Sequence, residues 1–143
     1  MIEIKKVDIS LIDKIVLLDN SYEYEKYSKD TFYDFFNNQY VDIFVAFEND
    51  VMLGYIMIMT IFDESNLLKI VVSPNNRNKG VGKFLIDYVK EFLRNKNVKK
   101  IFLEVRSDNI IAKSFYIKNG FEKGETRKGY YGEIDGEIFW CNI

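Results

Sequence analysis

The sequence predicts a mixed α/β fold, formed by residues 1–143 as one domain. Three observations carry that prediction. Apolar residues recur at helical spacing through Val81, Phe84, Leu85, Tyr88, Val89, Phe92 and Leu93, while Lys83, Asp87, Lys90, Glu91 and Arg94 occupy the opposite face. A β-rich run, Leu67 to Val72, precedes this amphipathic helix, and an alternating run, Ile101, Leu103 and Val105, comes after it. A strand-helix-strand unit of that kind sets its two strands parallel, with a right-handed crossover.

The other elements are read in chain order. Ile2 and Ile4 alternate with polar neighbours as a short first strand. Leu11, Ile12, Ile15 and Val16 recur at helical spacing behind Ser10, which is placed to cap them, and Ser28 is placed to cap a second helix carrying Phe32, Phe35 and Phe36 on one face. Strands at about Ile43–Glu48 and Met52–Ile61 flank the turn-prone pair Asn49-Asp50. After the strand-helix-strand unit, a helix runs from about Asn109 to Asn119, with Gly120 where a left-handed residue would end it. Strands at Phe121–Thr126 and Glu137–Asn142 close the chain, and Asp135-Gly136 reads as the turn before the last. The predicted order is β-α-α-β-β-β-α-β-α-β-β.

Composition narrows the chemistry. The chain contains no histidine and one cysteine, Cys141. A Ser-His-Asp or Cys-His catalytic pair cannot be built, and neither an intrachain disulfide nor a zinc site of the usual Cys/His kind can form, so no metal is expected. Proton transfer falls to carboxylates, Lys, Tyr or water. The opening Met1-Ile-Glu-Ile-Lys-Lys lacks the apolar core of a signal peptide, and the apolar stretch from Val51 to Phe62 is too short to span a bilayer as a helix. A cytoplasmic location with no membrane partner is the expectation. The 20 basic and 22 acidic side chains give a net charge of −2, which argues against nucleic acid as a partner. That average conceals an asymmetry: residues 1–75 sum to −7, residues 76–100 to +6 and residues 101–143 to −1.

The basic segment contains Arg77-Asn-Lys-Gly80-Val-Gly82-Lys83. Glycines let successive amide N–H groups converge, and the helix behind them adds its positive end, a combination suited to phosphate. Taken alone the loop reads equally well as a tight turn. It is neither a dinucleotide fingerprint, since Leu85 stands where a third small residue is needed, nor a P-loop, since Phe84 follows Gly-Lys. Downstream, alternation puts Phe102, Glu104 and Arg106 on one strand face, near the carboxyl end where crevices open in α/β sheets. Glu104 there is either a surface partner for Arg106 or a proton acceptor. Taken alone, Asn109 reads as a helix cap and Tyr116 as a core aromatic.

Taken together, Val72-x-Pro74, Arg77-x-x-Gly80-x-Gly82, the amphipathic helix, Leu103-Glu104-Val105-Arg106, Asn109, Tyr116 and Asn119-Gly120-Phe121, in this order, resemble the GNAT superfamily of N-acetyltransferases. Leu-Glu-Val-Arg followed by Ser107-x-Asn109 and by Arg127-x-x-Tyr130-Tyr131 is most similar to the bacterial RimI type, which acetylates the N-terminal alanine of a ribosomal protein. The resemblance implies acetyl-CoA as co-substrate. It implies that backbone groups of Ile70, Val71 and Val72 receive the acetyl-pantetheine arm, that Arg77, Asn78, Lys79, Gly80, Val81, Gly82 and Lys83 hold the pyrophosphate, and that Asn109 contacts the cofactor. Glu104 then matches the proton acceptor and Tyr116 the proton donor, with Tyr130 and Tyr131 at the acceptor. An α-amino group, with a pKa of ~7.7–8.0, needs modest help to lose its proton, whereas a lysine at ~10.4 needs more.

Three segments depart from the RimI pattern: Lys26-Tyr27-Ser28 replaces Pro-Trp-Ser, Gly132 replaces a proline, and Gly136-Glu-Ile-Phe-Trp140 lacks an Asp-Ala pair. All flank the acceptor site in such enzymes. The expectation is direct transfer in a ternary complex to a protein N-terminus, with a small-amine acetyltransferase or a weakly catalytic acyl-CoA-binding domain as alternatives.

Overall fold

The computed structural model describes residues 1–143. The chain runs β1 (Glu3–Lys6), α1 (Ile12–Asp19), α2 (Lys29–Phe36), β2 (Val41–Glu48), β3 (Val51–Ile61), β4 (Glu64–Val72), α3 (Val81–Arg94), β5 (Lys100–Arg106), α4 (Ile110–Lys118), β6 (Glu122–Tyr131) and β7 (Ile134–Asn142), in the predicted order. The strands form one sheet, ordered β1-β2-β3-β4-β5-β7-β6. Every neighbouring pair is antiparallel except β4 and β5, the parallel pair of the strand-helix-strand unit.

Two buried clusters lie on opposite faces of the sheet. Ile12, Ile15 and Phe32 from α1 and α2 pack on Ile43, Val45, Tyr55, Met57 and Val71. On the other face Val81, Leu85, Ile86, Val89 and Leu93 of α3, with Tyr116 of α4, pack on Phe44, Ile56, Leu103, Val105 and Phe139. Adjacent strand residues alternate between the two clusters, as the pleat requires. The buried stripe of α3 is rotated from the one expected: Ile86 is buried, while Phe84 and Tyr88 are 45% and 39% exposed. Tyr88 and Phe92 cover Phe44 from the flank of the helix, with ring centroids 5.2 and 4.9 Å away.

Local chemistry explains most boundaries. The side chain of Ser28 accepts from Thr31 N–H at 3.1 Å and caps α2. The first cap is not Ser10 but Asp8, which accepts from Ser10 N–H at 2.9 Å and starts a 3-10 turn, Ile9–Leu11, leading into α1. The Ser10 hydroxyl donates to that same carboxylate, so it is not available to accept from the amides of α1. Asn49 and Asp50 adopt φ of 51° and 63°, the conformation of a two-residue hairpin turn. Asp135-Gly136 is not a turn. Gly136 pairs with Arg106 of β5 on one side and Arg127 of β6 on the other, so a turn there would break two ladders; the chain reverses instead between Tyr131 and Ile134, with Gly132 at φ 77°.

A candidate active site where two parallel strands part

β4 and β5 pair only from Glu64↔Lys100 to Leu67↔Leu103. Past that point β4 stays with β3 and β5 stays with β7, so a notch opens between their carboxyl ends. A bulge lies at the point of parting: Met57 pairs with Lys69 and Ile58 with Leu67, leaving Leu68 as an extra residue. Such a residue bends its strand and re-aims the side chains beyond it. Ser73 N–H donates to the Leu53 carbonyl at 2.8 Å, which fixes the alternation beyond the bulge. Backbone groups of Val71 and Lys69 face β3, and those of Ile70 and Val72 face the notch. The Val72 carbonyl accepts from Arg77 Nε there, at 3.2 Å.

A cavity of about 90 Å³ fills the notch, lined by Tyr22, Glu25 and Tyr27 of the α1–α2 connector, Lys69 and Ile70 of β4, Glu104 and Arg106 of β5, Asn109, Tyr116 and Tyr131 among others. The two proton-transfer candidates reach it from opposite faces. Glu104 shares its strand face with Phe102 and Arg106 and points to the side of α1 and α2, while Tyr116 belongs to the cluster under α3 and α4. Glu104 does not pair with Arg106, which instead holds Asp108 through two hydrogen bonds of 3.0 and 3.1 Å. Its neighbour is Arg127, whose Nε lies 3.3 Å from Oε1, and that buried oxygen accepts no hydrogen bond. Burial first, and then the nearby tyrosines Tyr22 and Tyr131, hold the Tyr116 hydroxyl far above the usual tyrosine range. Tyr131 is pushed up to about 12, chiefly by burial and next by the Glu104 charge. Asn109 caps α4, its side chain accepting from Ala112 N–H at 3.1 Å, and it also lines the cavity.

The Arg77–Lys83 segment does not line this cavity; Val81 to Lys83 begin α3 on the opposite face from Glu104, while Arg77 reaches back to the Val72 carbonyl and to Glu23 of the connector, 3.5 Å from its Nη1. Gly80 has φ 85° and open space around it, and the first helical hydrogen bond runs from Phe84 N–H to the Gly80 carbonyl. The N–H groups of Val81, Gly82 and Lys83 therefore precede the helical ladder, and no side chain caps them. These donors, at the positive end of a helix, fit a phosphate. Gly82 has a different duty: a Cβ there would lie 2.9 Å from the Phe115 ring, so its absence lets α3 approach α4. Tyr130 does not line the cavity; half exposed, it packs over Gly136 beside Glu104.

A sequence model of the acetyltransferase (GNAT) family matches residues 10–121. The chain belongs to this family. GNAT enzymes use acetyl-CoA, and this chain is an acetyl-CoA-dependent N-acetyltransferase. It is 28% identical over 98% of its length to a Bacillus subtilis (strain 168) protein, provisionally named a ribosomal protein bS18-alanine N-acetyltransferase, and the match covers 95% of that protein. It is 30% identical over 62% of its length to the ribosomal protein bS18-alanine N-acetyltransferase of Escherichia coli (strain K12), of which the match covers 60%. The fold superposes with a TM-score of 0.92 on the crystal structure of the ribosomal-protein-S18-alanine N-acetyltransferase from Escherichia coli, at 23% identity over 100% of this chain and 94% of that one. A Thermoplasma acidophilum PaiA N-acetyltransferase in complex with coenzyme A gives 0.88 at 22% identity, over 100% and 99% of the two chains.

One part of this GNAT site escaped the sequence reading. Asp19 at the end of α1 is fully buried and Lys69 is 7% exposed. Lys69 Nζ lies 2.7 Å from Asp19 Oδ1, which also accepts from the Tyr55 hydroxyl at 2.7 Å. Burial pulls the Lys69 ammonium below the usual lysine value, against the opposing pull of its hydrogen bond to Asp19. The only local signal is the lysine itself, a charge inside the apolar run Leu67 to Val72.

Proposed function

We propose that this enzyme acetylates the N-terminal alanine of a ribosomal protein by direct attack in a ternary complex, with Glu104 as proton acceptor and Tyr116 as proton donor. The observation that carries the reading is the placement of Glu104 and Tyr116 on opposite faces of the sheet at one notch. An amine entering from the α1–α2 face meets the carboxylate, and a thioester lying on the α3–α4 face meets the phenol. Full-length similarity to a protein provisionally named for this reaction supports the choice of acceptor.

Acetyl-CoA supplies the acetyl thioester. Val81, Gly82 and Lys83 would hold its pyrophosphate through their free N–H groups, with the Lys79 charge beside them and Arg77 turned to the Val72 carbonyl and Glu23. Ile70 would pair its notch-side N–H and carbonyl with the pantetheine amides, leaving the Val72 N–H free. Glu104 takes the proton that the ammonium must lose before its nitrogen bonds to the acyl carbon. A backbone N–H at Val72 is placed to donate to the acyl oxygen as it gains charge. Tyr116 gives its proton to the sulfur as the carbon–sulfur bond breaks. Burial keeps the phenol neutral, so its proton is present when negative charge develops beside it. Histidine plays no part, because the chain has none.

The test is a thiol-release assay over a panel of acceptors. A peptide beginning with alanine is expected to react faster than spermidine or free lysine. The reverse ranking would move the assignment to a small-amine acetyltransferase, and no release with any amine would favour an acyl-CoA-binding role.

A further inference from the structure

The connector between α1 and α2, residues 20–28, has no helix or strand of its own, yet Tyr22, Tyr24, Glu25 and Tyr27 form a wall of the cavity. What holds this wall is the pair beneath it. Asp19 Oδ2 accepts from Tyr27 N–H at 2.7 Å, and Lys69 Nζ donates to the Glu25 carbonyl. The rings of Tyr22 and Tyr27 lie 4.7 and 4.3 Å from the ammonium and enclose it. The Tyr55 hydroxyl anchors Asp19 to the sheet. One buried ion pair thus fixes the connector by two backbone groups and two aromatic faces.

Stability does not account for such a pair. Burying two charges costs desolvation that their attraction does no more than offset, and apolar residues of similar volume commonly serve as well. What the pair supplies is position. The bulge at Leu68 turns Lys69 to the α1–α2 face, the face from which Glu104 approaches, while the free amides of α3 lie on the other.

We propose that Lys69 and Asp19 are positioning residues for the acceptor: they lock the connector as the wall against which the first residue of the incoming amine is seated, and they act on acceptor binding without acting on acetyl-CoA. This rests on the acetyl-transfer reading of the cavity.

The test compares wild type with Lys69→Met and Asp19→Asn in full bisubstrate kinetics, using whichever panel amine the wild type acetylates fastest. A wrong acceptor assignment therefore shows in the wild-type ranking and leaves this test intact. The expected result is an acceptor KM raised about tenfold or more, with the acetyl-CoA KM within about twofold of wild type. Discrimination between peptides beginning with alanine and with leucine should narrow in the same variants. Should Lys69→Met fail to fold, Tyr55→Phe, which removes one hydrogen bond to Asp19 and keeps the ring, reads the same split on a smaller scale. A lowered melting temperature with both KM values unchanged, or parallel rises in both, would overturn the proposal and leave a purely structural ion pair.

Discussion

At the scale of single residues, Glu104 lines the cavity, and its buried Oε1, 3.3 Å from Arg127 Nε, accepts no hydrogen bond, so the carboxylate has capacity left for a proton. Glu104→Gln keeps the shape and removes that capacity. Turnover should fall about 10²- to 10⁴-fold, and the deficit should widen as pH decreases, because more of the amine is then protonated. A pH–rate profile parallel to that of wild type would remove Glu104 as the base. Glu104, Tyr116 and Asn109 each had an ordinary reading alone, and only the resemblance of the whole motif series singled them out; the structure brings the three to one cavity. Asp19 and Lys69 were not legible in the sequence. They meet only when α1 is laid across β4, and each alone reads as an ordinary surface charge.

At the scale of elements, the site depends on how closely β3 and β4 approach. Gly54 of β3 faces Val72, and a Cβ there would lie 2.7 Å from the Val71 carbonyl oxygen, a backbone atom with no room to yield. Gly54→Ala is therefore expected to cost about 1–3 kcal/mol, as overpacking does. It should also weaken acetyl-CoA binding, since the displaced segment is the one facing the notch; a thermal melt and a cofactor titration check the two effects. The type and order of every element were legible from periodicity. Two of the errors share one cause, the action of neighbours that a local pattern does not contain. Asp135-Gly136 has the composition of a turn but is clamped between two strands, and the α3 stripe is rotated because Phe44 draws Tyr88 and Phe92 toward its flank.

At the scale of the whole molecule, tyrosines gather around the cavity, and burial raises the pKa of Tyr22, Tyr27, Tyr55, Tyr116 and Tyr131 together. Their folded-state values lie above the unfolded value near 10. Below that value both states hold the phenolic protons and stability is unaffected. As pH rises above it, the unfolded chain releases protons that the folded chain keeps, and stability falls. The melting temperature should thus decline steeply between about pH 10 and 12, and Tyr116→Phe should make the decline shallower. An unchanged slope would show that Tyr116 is not held neutral by the fold. The uneven charge along the sequence also takes spatial form: the basic segment forms α3 and the loop before it, and Arg77 of that loop meets the acidic connector, its Nη1 3.5 Å from Glu23 Oε1.

The parting of β4 from β5 gives the sheet four edges instead of two. The outer edges, β1 and β6, face solvent in the ordinary way. The inner pair are unpaired strand margins at the centre of the molecule, and an open margin is a template for any extended chain that reaches it. Here the α1–α2 connector on one face and α4 on the other screen these margins from a passing strand. A narrow molecule bearing amides of its own can still enter, and an edge that would be an aggregation hazard on the outside of a protein becomes a selective slot within it.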